Sequence, residues 1–253
     1  MAFVAPALRR EVFGWYSERL GMKMPIVRYG SWGRPLLLLP TASGDFLEAE
    51  RMYLIKSLEP LMLAGRVTVF SIDSINPWSW MNDSLPIGRK ARNHALFSSY
   101  VEEEVVPHIR NVLQNGSARI GVTGASFGAF YAANSFFRRP DLFDTLIAMS
   151  GFFDLAPGYL GGYHDENVYF NNPTEFVPNI PDGRAMDLIR HSQIHIVSGR
   201  GAWERPDKSE AFSRVLSRRG IAHNLELWGH DVNHDWPWWR KMLPHYVENR
   251  LGW

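Results

Sequence analysis

A chain of 253 residues that is 45% hydrophobic suits one large α/β domain or two small ones with a true core. Its net charge of +1, with no basic stripe and no acidic tail, argues against nucleic acid as a partner and against a disordered segment. With no cysteine, it excludes a disulfide scaffold, a cysteine nucleophile and thiolate metal sites.

The first ten residues, Met1-Ala-Phe-Val-Ala-Pro-Ala-Leu-Arg-Arg10, hold no apolar core of signal-peptide length. No window is long enough to span a membrane. A soluble, cytoplasmic protein is expected. Residues 25–29 and 35–39 read as strands split by a Gly-Ser-Trp-Gly turn. Leu36-Leu37-Leu38-Leu39 is wholly apolar and stops at Pro40, as a buried central strand does. A helix over 46–58 and a strand over 66–73 follow. Residues 74–90, rich in Asn, Pro, Ser, Trp and Gly, read as a loop.

A long helix is predicted over 92–114, where Phe97, Val101, Val105, Ile109 and Leu113 recur every four positions. Pro107 should bend it, because it removes a hydrogen bond and crowds the preceding turn. A strand over 120–123 runs into a helix over 129–137, and another buried strand covers 145–149. Residues 151–182 are irregular, aromatic and rich in Gly, Pro and Asn, and read as a lid-like insertion. A strand over 194–197, an amphipathic helix over 207–219, a strand over 224–228 and a closing helix from Trp236 complete the chain. Apolar strands alternating with helices imply an α/β fold: a mostly parallel central sheet with helices on both faces. With no repeat or linker, one domain is the simplest organisation.

The richest motif is Gly124-Ala125-Ser126-Phe127-Gly128, set between a strand and a helix. A sharp turn there holds a serine hydroxyl above the sheet edge, and side chains at the flanking glycines would collide with neighbouring backbone. In such sheets function gathers at the carboxyl ends of strands. The loop after 194–197 carries Glu204 and Asp207. The loop after 224–228 carries His230 and His234. Serine, carboxylate and histidine therefore occur in the chain order of a hydrolase triad.

His234 is favoured over His230 as the base. It lies deeper in its loop, and Asp235 and Pro237 after it resemble a helix start. Asp207 looks like the N-cap of its helix, so Glu204 is taken as the acid. An oxyanion hole needs two backbone N–H groups. Phe127, after the nucleophile, supplies one. The loop Pro40-Thr41-Ala42-Ser43-Gly44 supplies the other, through Ala42 or its neighbour Thr41. The remaining histidines read as structural or carry no motif. No spacing resembles a zinc site, since His230-Asp231-Val232-Asn233-His234 lacks the glutamate and the helix.

These residues resemble the putative-esterase family of α/β-hydrolases, which includes S-formylglutathione hydrolase, feruloyl esterases, enterochelin esterase-like proteins and the antigen 85 acyltransferases. Four segments carry the resemblance: Glu104-Val105-Val106-Pro107-His108-Ile109, the serine turn, Gly201-Ala202-Trp203-Glu204, and His234-Asp235-Trp236-Pro237-Trp238-Trp239. The resemblance implies Ser126 as nucleophile, His234 as base and an acid in the Glu204 loop.

The expected function is hydrolysis of small acyl or aryl carboxylic esters through an acyl-enzyme. Trp78, Trp203 and Trp236, with Trp80 and the 151–182 insertion, would shape the substrate pocket. No metal or organic cofactor, no nucleic acid and no membrane is expected. Exposed tryptophans near the C-terminus are compatible with a homodimer. The alternatives are acyl transfer or peptide hydrolysis on the same fold, or a non-catalytic binding protein that retains it.

Overall fold

Short apolar strands set the frame. The computed structural model describes residues 8–253, so most of the N-terminal stretch inspected for a signal segment lies outside the described residues. The strands are β1 (Arg10–Ser17), β2 (Met22–Tyr29), β3 (Arg34–Leu39), β4 (Val67–Ile72), β5 (Ile120–Ala125), β6 (Phe143–Met149), β7 (Gln193–Ser198) and β8 (Asn224–Leu227). They form one sheet in the order β1-β2-β4-β3-β5-β6-β7-β8. β1 and β2 run antiparallel, as do β2 and β4. Every other pair is parallel. All six residues of β4 and of β5 are buried, which is why their sequences show no alternation of apolar and polar residues.

The sheet is covered on both faces. On one, α2 (Leu54–Leu63) and α10 (Trp236–His245) pack Leu58, Met62, Met242 and Leu243 against Leu36, Leu38 and Ile147. The other face carries α3 (Ile87–Tyr100), α4 (Val106–Val112), α5 (Phe127–Arg138) and α9 (Pro206–Arg218). There Phe97, Ile109, Phe130 and Phe212 meet Leu37, Phe70, Val122 and Ile196. This is the expected α/β-hydrolase architecture.

The local differences have physical reasons. The helix expected over 46–58 is broken into α1 (Glu48–Arg51) and α2, because Tyr53 between them takes a left-handed φ of 60°. The helix expected over 92–114 starts earlier, at Ile87, and widens into a π-turn over Val101–Val105. Pro107 follows at once. A regular turn would press its ring on the carbonyl four residues back, and the wider turn relieves that. The 151–182 segment holds the short helices α6 (Glu166–Tyr169) and α7 (Pro173–Phe176), and α8 (Arg184–Arg190) follows it. The unexpected β1 is tied to the π-turn by Glu104, which accepts from Trp15 Nε1 at 2.7 Å and from Ser17 Oγ at 2.8 Å. Among the described residues no helix is long and apolar enough to cross a membrane.

The parallel register brings the carboxyl ends of β3, β5, β6, β7 and β8 to one edge. The loops leaving that edge carry Ala42, Ser126, Ser150, Glu204 and His234.

Candidate active site

Ser126 sits between β5 and α5 with φ 56° and ψ −120°. For a residue with a side chain this conformation costs about 1–3 kcal/mol, and it persists only where the surroundings dictate it. They do so here. A Cβ on Gly124 would lie 2.3 Å from the Gly128 carbonyl carbon, and one on Gly128 would lie 2.4 Å from Leu39 O. The glycines let β5, α5 and the end of β3 meet. The Ser126 N–H donates to Met149 O at 3.0 Å, fixing the turn to β6.

The acid and histidine loops are stitched together through their backbones. Arg200 N donates to Gly229 O at 3.1 Å, Gly201 N to Val232 O at 2.9 Å, and His234 N to Ala202 O at 3.0 Å. Ala202 N donates to Asn233 Oδ1 at 2.8 Å. A Cβ on Gly199 would stand 2.0 Å from Val232 O, so that position tolerates only glycine at this separation.

This stitching sets His234 Nδ1 3.6 Å from Glu204 Oε2. The gap is longer than a hydrogen bond, and Nδ1 is buried without another partner. The Glu204 carboxylate has no exposed side-chain surface. Burial pushes its pKa up, but His234, Ser150 and Ser198 outweigh burial and hold it below the usual carboxylate range.

Two groups that sequence reasoning missed complete this cluster. Ser150 Oγ donates to Glu204 Oε1 at 2.6 Å, and Ser198 Oγ donates to Oε2 at 2.9 Å. Trp239 Nε1 in turn donates to Ser150 Oγ at 3.0 Å. The Trp239 ring stands edge-on to His234, with centroids 5.1 Å apart at 86°. Ser150 follows β6 as Ser126 follows β5, and that position at a strand's carboxyl end was the available signal.

Asp207 is not the N-cap it resembles. α9 begins at Pro206, and Asp207 lies within its first turn, exposed and paired with Arg205 at 3.0 Å. Proline's fixed φ and missing N–H favour the first helical position, so the helix starts one residue early. Asp235 does cap α10, accepting from Trp236 N at 2.7 Å, with Pro237 in the first turn. His230 is exposed. His195 and His223 are part-buried in the fold, whereas His191 is exposed. His191 contacts Asp187 O, His195 packs beside Tyr246, and His223 bonds Ser213.

The 40–44 loop lies against the start of α5. The Thr41 N–H is committed to Glu48 Oε2 at 3.0 Å, and its hydroxyl to Glu48 Oε1 at 2.6 Å. Of the two candidates Ala42 and Thr41, Ala42 is the one whose N–H has no hydrogen-bond partner among the described residues. Its carbonyl is anchored from behind by Asn76 Nδ2 at 3.0 Å, and Asn76 Oδ1 accepts from Tyr131 at 2.5 Å. Asn76 is fully buried. The Phe127 N–H, at the first position of α5, has no intrahelical acceptor.

Ser126, Ser150 and His234 line one cleft of about 420 Å³. Its remaining walls are Gly151, Phe152, Asp154, Pro157, Gly158 and Tyr159 from the segment after β6, with Arg205 and Lys208 from the start of α9. The Ser126 hydroxyl and the His234 ring share the cleft without a direct hydrogen bond among the described residues. Trp78, Trp203 and Trp236 do not line it. Trp78 is 48% exposed and Trp203 is 89% exposed, whereas Trp236 stacks edge-on against Trp239 with centroids 5.0 Å apart. Large rings in neighbouring loops signal apolar surface, but not which loop faces Ser126. That place belongs to Phe152 and Tyr159.

A family model described as "Putative esterase" matches residues 67–249. Among solved structures, a ferulic acid esterase is similar with a TM-score of 0.72 at 17% identity, covering 95% of this chain and 96% of the other. The S-formylglutathione hydrolase of Agrobacterium tumefaciens gives a TM-score of 0.70 at 16% identity, covering 97% and 94%. A ferulic acid esterase of Anaeromyces mucronatus, solved with ferulic acid, gives 0.71 at 13% identity, covering 98% and 93%. At these identities the likeness is one of fold. Comparison with curated protein sequences gives no match.

Proposed function

Because the chain belongs to the Putative esterase family and is a serine esterase, we propose that Ser126, His234 and Glu204 form its catalytic triad. The observation that carries this is the convergence of three loops. The strained Ser126 and His234 share one cleft, and a buried, ionised Glu204 stands behind His234.

His234 takes the Ser126 proton as Oγ attacks the ester carbonyl. The N–H groups of Phe127 and Ala42 receive the developing oxyanion. As the tetrahedral intermediate collapses, the C–O bond to the alcohol breaks and His234 returns the proton to it. Water, deprotonated by the same histidine, then releases the acid from the acyl-enzyme. Glu204 keeps the imidazole oriented and stabilises its charged form. No step requires a cofactor.

Phe152 and Tyr159 give the cleft an apolar wall suited to a small acyl or aryl group, so the 152–159 part of the lid-like insertion acts as a substrate wall. Turnover of short-chain nitrophenyl esters tests the proposal. Wild type should turn them over, and Ser126→Ala should not. Full activity in Ser126→Ala would end it.

A further inference from the structure

We propose that Ser150 is a positioning residue for the catalytic acid, acting with Trp239 to fix the Glu204 carboxylate in the orientation that faces His234. This rests on the triad proposed above.

Donor chemistry settles the direction of the chain of bonds. An indole N–H can only donate, so Ser150 Oγ must accept from Trp239 Nε1 at 3.0 Å. Its own single proton is then free for Glu204 Oε1, 2.6 Å away. The short distance fits a hydrogen bond to an ionised acceptor. With Oε1 held in this way, Oε2 is the oxygen turned toward His234.

Trp239 acts on both partners. Its N–H feeds Ser150, and its ring stands edge-on to the His234 imidazole. One indole thereby sets the relative placement of acid and base. Ser150 itself is held at φ 50° with its N–H donating to Val197 O at 2.7 Å. It is 6% exposed, yet it lines the cleft beside Ser126. A left-handed serine at the end of a buried strand is strained, and strain of this kind gathers at functional sites.

A second hydroxyl, Ser198, reaches Oε2 at 2.9 Å, the oxygen that His234 also uses. Ser198 makes no contact with Oε1, and its single proton is shared with Gly199 O at 3.1 Å, so it does not replace Ser150. The other charged groups of the cleft are Arg205, Lys208 and Asp154. Arg205 is turned to Asp207, and the side chains that hold the Glu204 carboxylate low are His234, Ser150 and Ser198.

The test uses Ser150→Gly, which suits the left-handed backbone and removes only the hydroxyl. Ser150→Thr returns the hydroxyl, and Trp239→Phe keeps a ring but removes the N–H. For each, kcat and KM for a short-chain nitrophenyl ester are measured from pH 4 to pH 9. Ser150→Gly should lower kcat roughly ten- to a hundredfold, the usual effect of losing a hydrogen bond to a charged group, with KM nearly unchanged. A Glu204 that has lost this donor is more basic, and because it is coupled to His234 the acid limb of kcat, which belongs to the pair, should move upward. Ser150→Thr should restore most of kcat, and Trp239→Phe should shift the limb in the same direction by less.

A folded Ser150→Gly with wild-type kcat and an unmoved acid limb overturns the proposal, as does a limb that stays displaced in Ser150→Thr. If Ser150→Gly does not fold, an unchanged profile in Trp239→Phe overturns it. Should Ser126→Ala and Glu204→Gln both be inactive while Ser150→Gly is normal, only the role of Ser150 fails. Activity in Ser126→Ala would instead bring down the triad.

Discussion

His234 Nδ1 faces Glu204 Oε2 at 3.6 Å, and the carboxylate behind it has no exposed side-chain surface. An ionised acid so enclosed is held by its contacts rather than by water, and its pKa accordingly stays low. The nearest rival in sequence, Asp207, is exposed and paired with Arg205.

Replacing these two carboxylates should therefore have very different effects. Glu204→Gln keeps the shape but removes the charge that orients and stabilises the imidazolium, and should lower kcat by roughly 10³- to 10⁴-fold. Asp207→Asn breaks an exposed pair of small energetic weight and should leave kcat within about twofold. Steady-state kinetics on a nitrophenyl ester separates them. Equal losses would return the acid's role to an open choice.

The two histidines of the last loop should separate as cleanly. His234→Ala removes the proposed base, which lines the cleft, and should cost at least roughly 10⁴-fold in kcat. The exposed His230 should be replaceable by alanine with little change. A large loss in His230→Ala alongside a mild one in His234→Ala would reverse the assignment.

Asn76 should matter for catalysis although it holds the 40–44 loop, proposed to supply an oxyanion N–H, rather than lining the cleft. It holds the Ala42 carbonyl and receives the Tyr131 hydroxyl. Asn76→Ala should lower kcat by roughly ten- to a hundredfold through a misplaced N–H, and destabilise the fold by about 1–3 kcal/mol through unpaired partners. Tyr131→Phe should do the same to a smaller degree. Kinetics paired with urea unfolding reads both effects. An unchanged kcat in a destabilised Asn76→Ala would mean that the loop keeps its place without this anchor.

His94, which packs on the Tyr131 ring, gives the fold a pH dependence of stability. It is fully buried, and neither ring nitrogen has a hydrogen-bond partner among the described residues. Burial, with a smaller push from the Arg138 charge, brings its pKa down to about 3 from an ordinary 6.5. Below the ordinary value the unfolded chain binds a proton that the folded chain refuses. Stability is thus full above about pH 6.5 and falls as the solution is acidified, by up to about 1.4 kcal/mol per pH unit for this one group. Between pH 7.5 and pH 5 that amounts to about 2 kcal/mol. Urea unfolding of wild type and His94→Leu at both pH values should show a shallower loss in the variant. Parallel losses would show that His94 is protonated equally in both states.

The frame and the chemical loops were legible because each rests on a local rule. Leu36 to Leu39 and Ile120 to Thr123 are uninterrupted apolar runs, which only central strands require. Ser126, Glu204 and His234 each follow a strand at its carboxyl end. What could not be read depends on distant partners. β1 alternates exposed and half-buried residues at the sheet edge, so its sequence carries little burial signal. The break at Tyr53 is a backbone choice for which no glycine gives notice. Trp78 and Trp203 look like pocket residues until the geometry turns them to solvent, and Ser150 gains its meaning only from Trp239, 89 positions away.

The most direct measurement is covalent labelling with a fluorophosphonate probe, followed by intact mass and peptide mapping. One adduct per chain should form, on the peptide that contains Ser126. It should be absent from Ser126→Ala and much slower to form in His234→Ala. A chain that takes no label while hydrolysing esters, or one labelled at another serine whose loss abolishes turnover, would contradict Ser126 as the nucleophile.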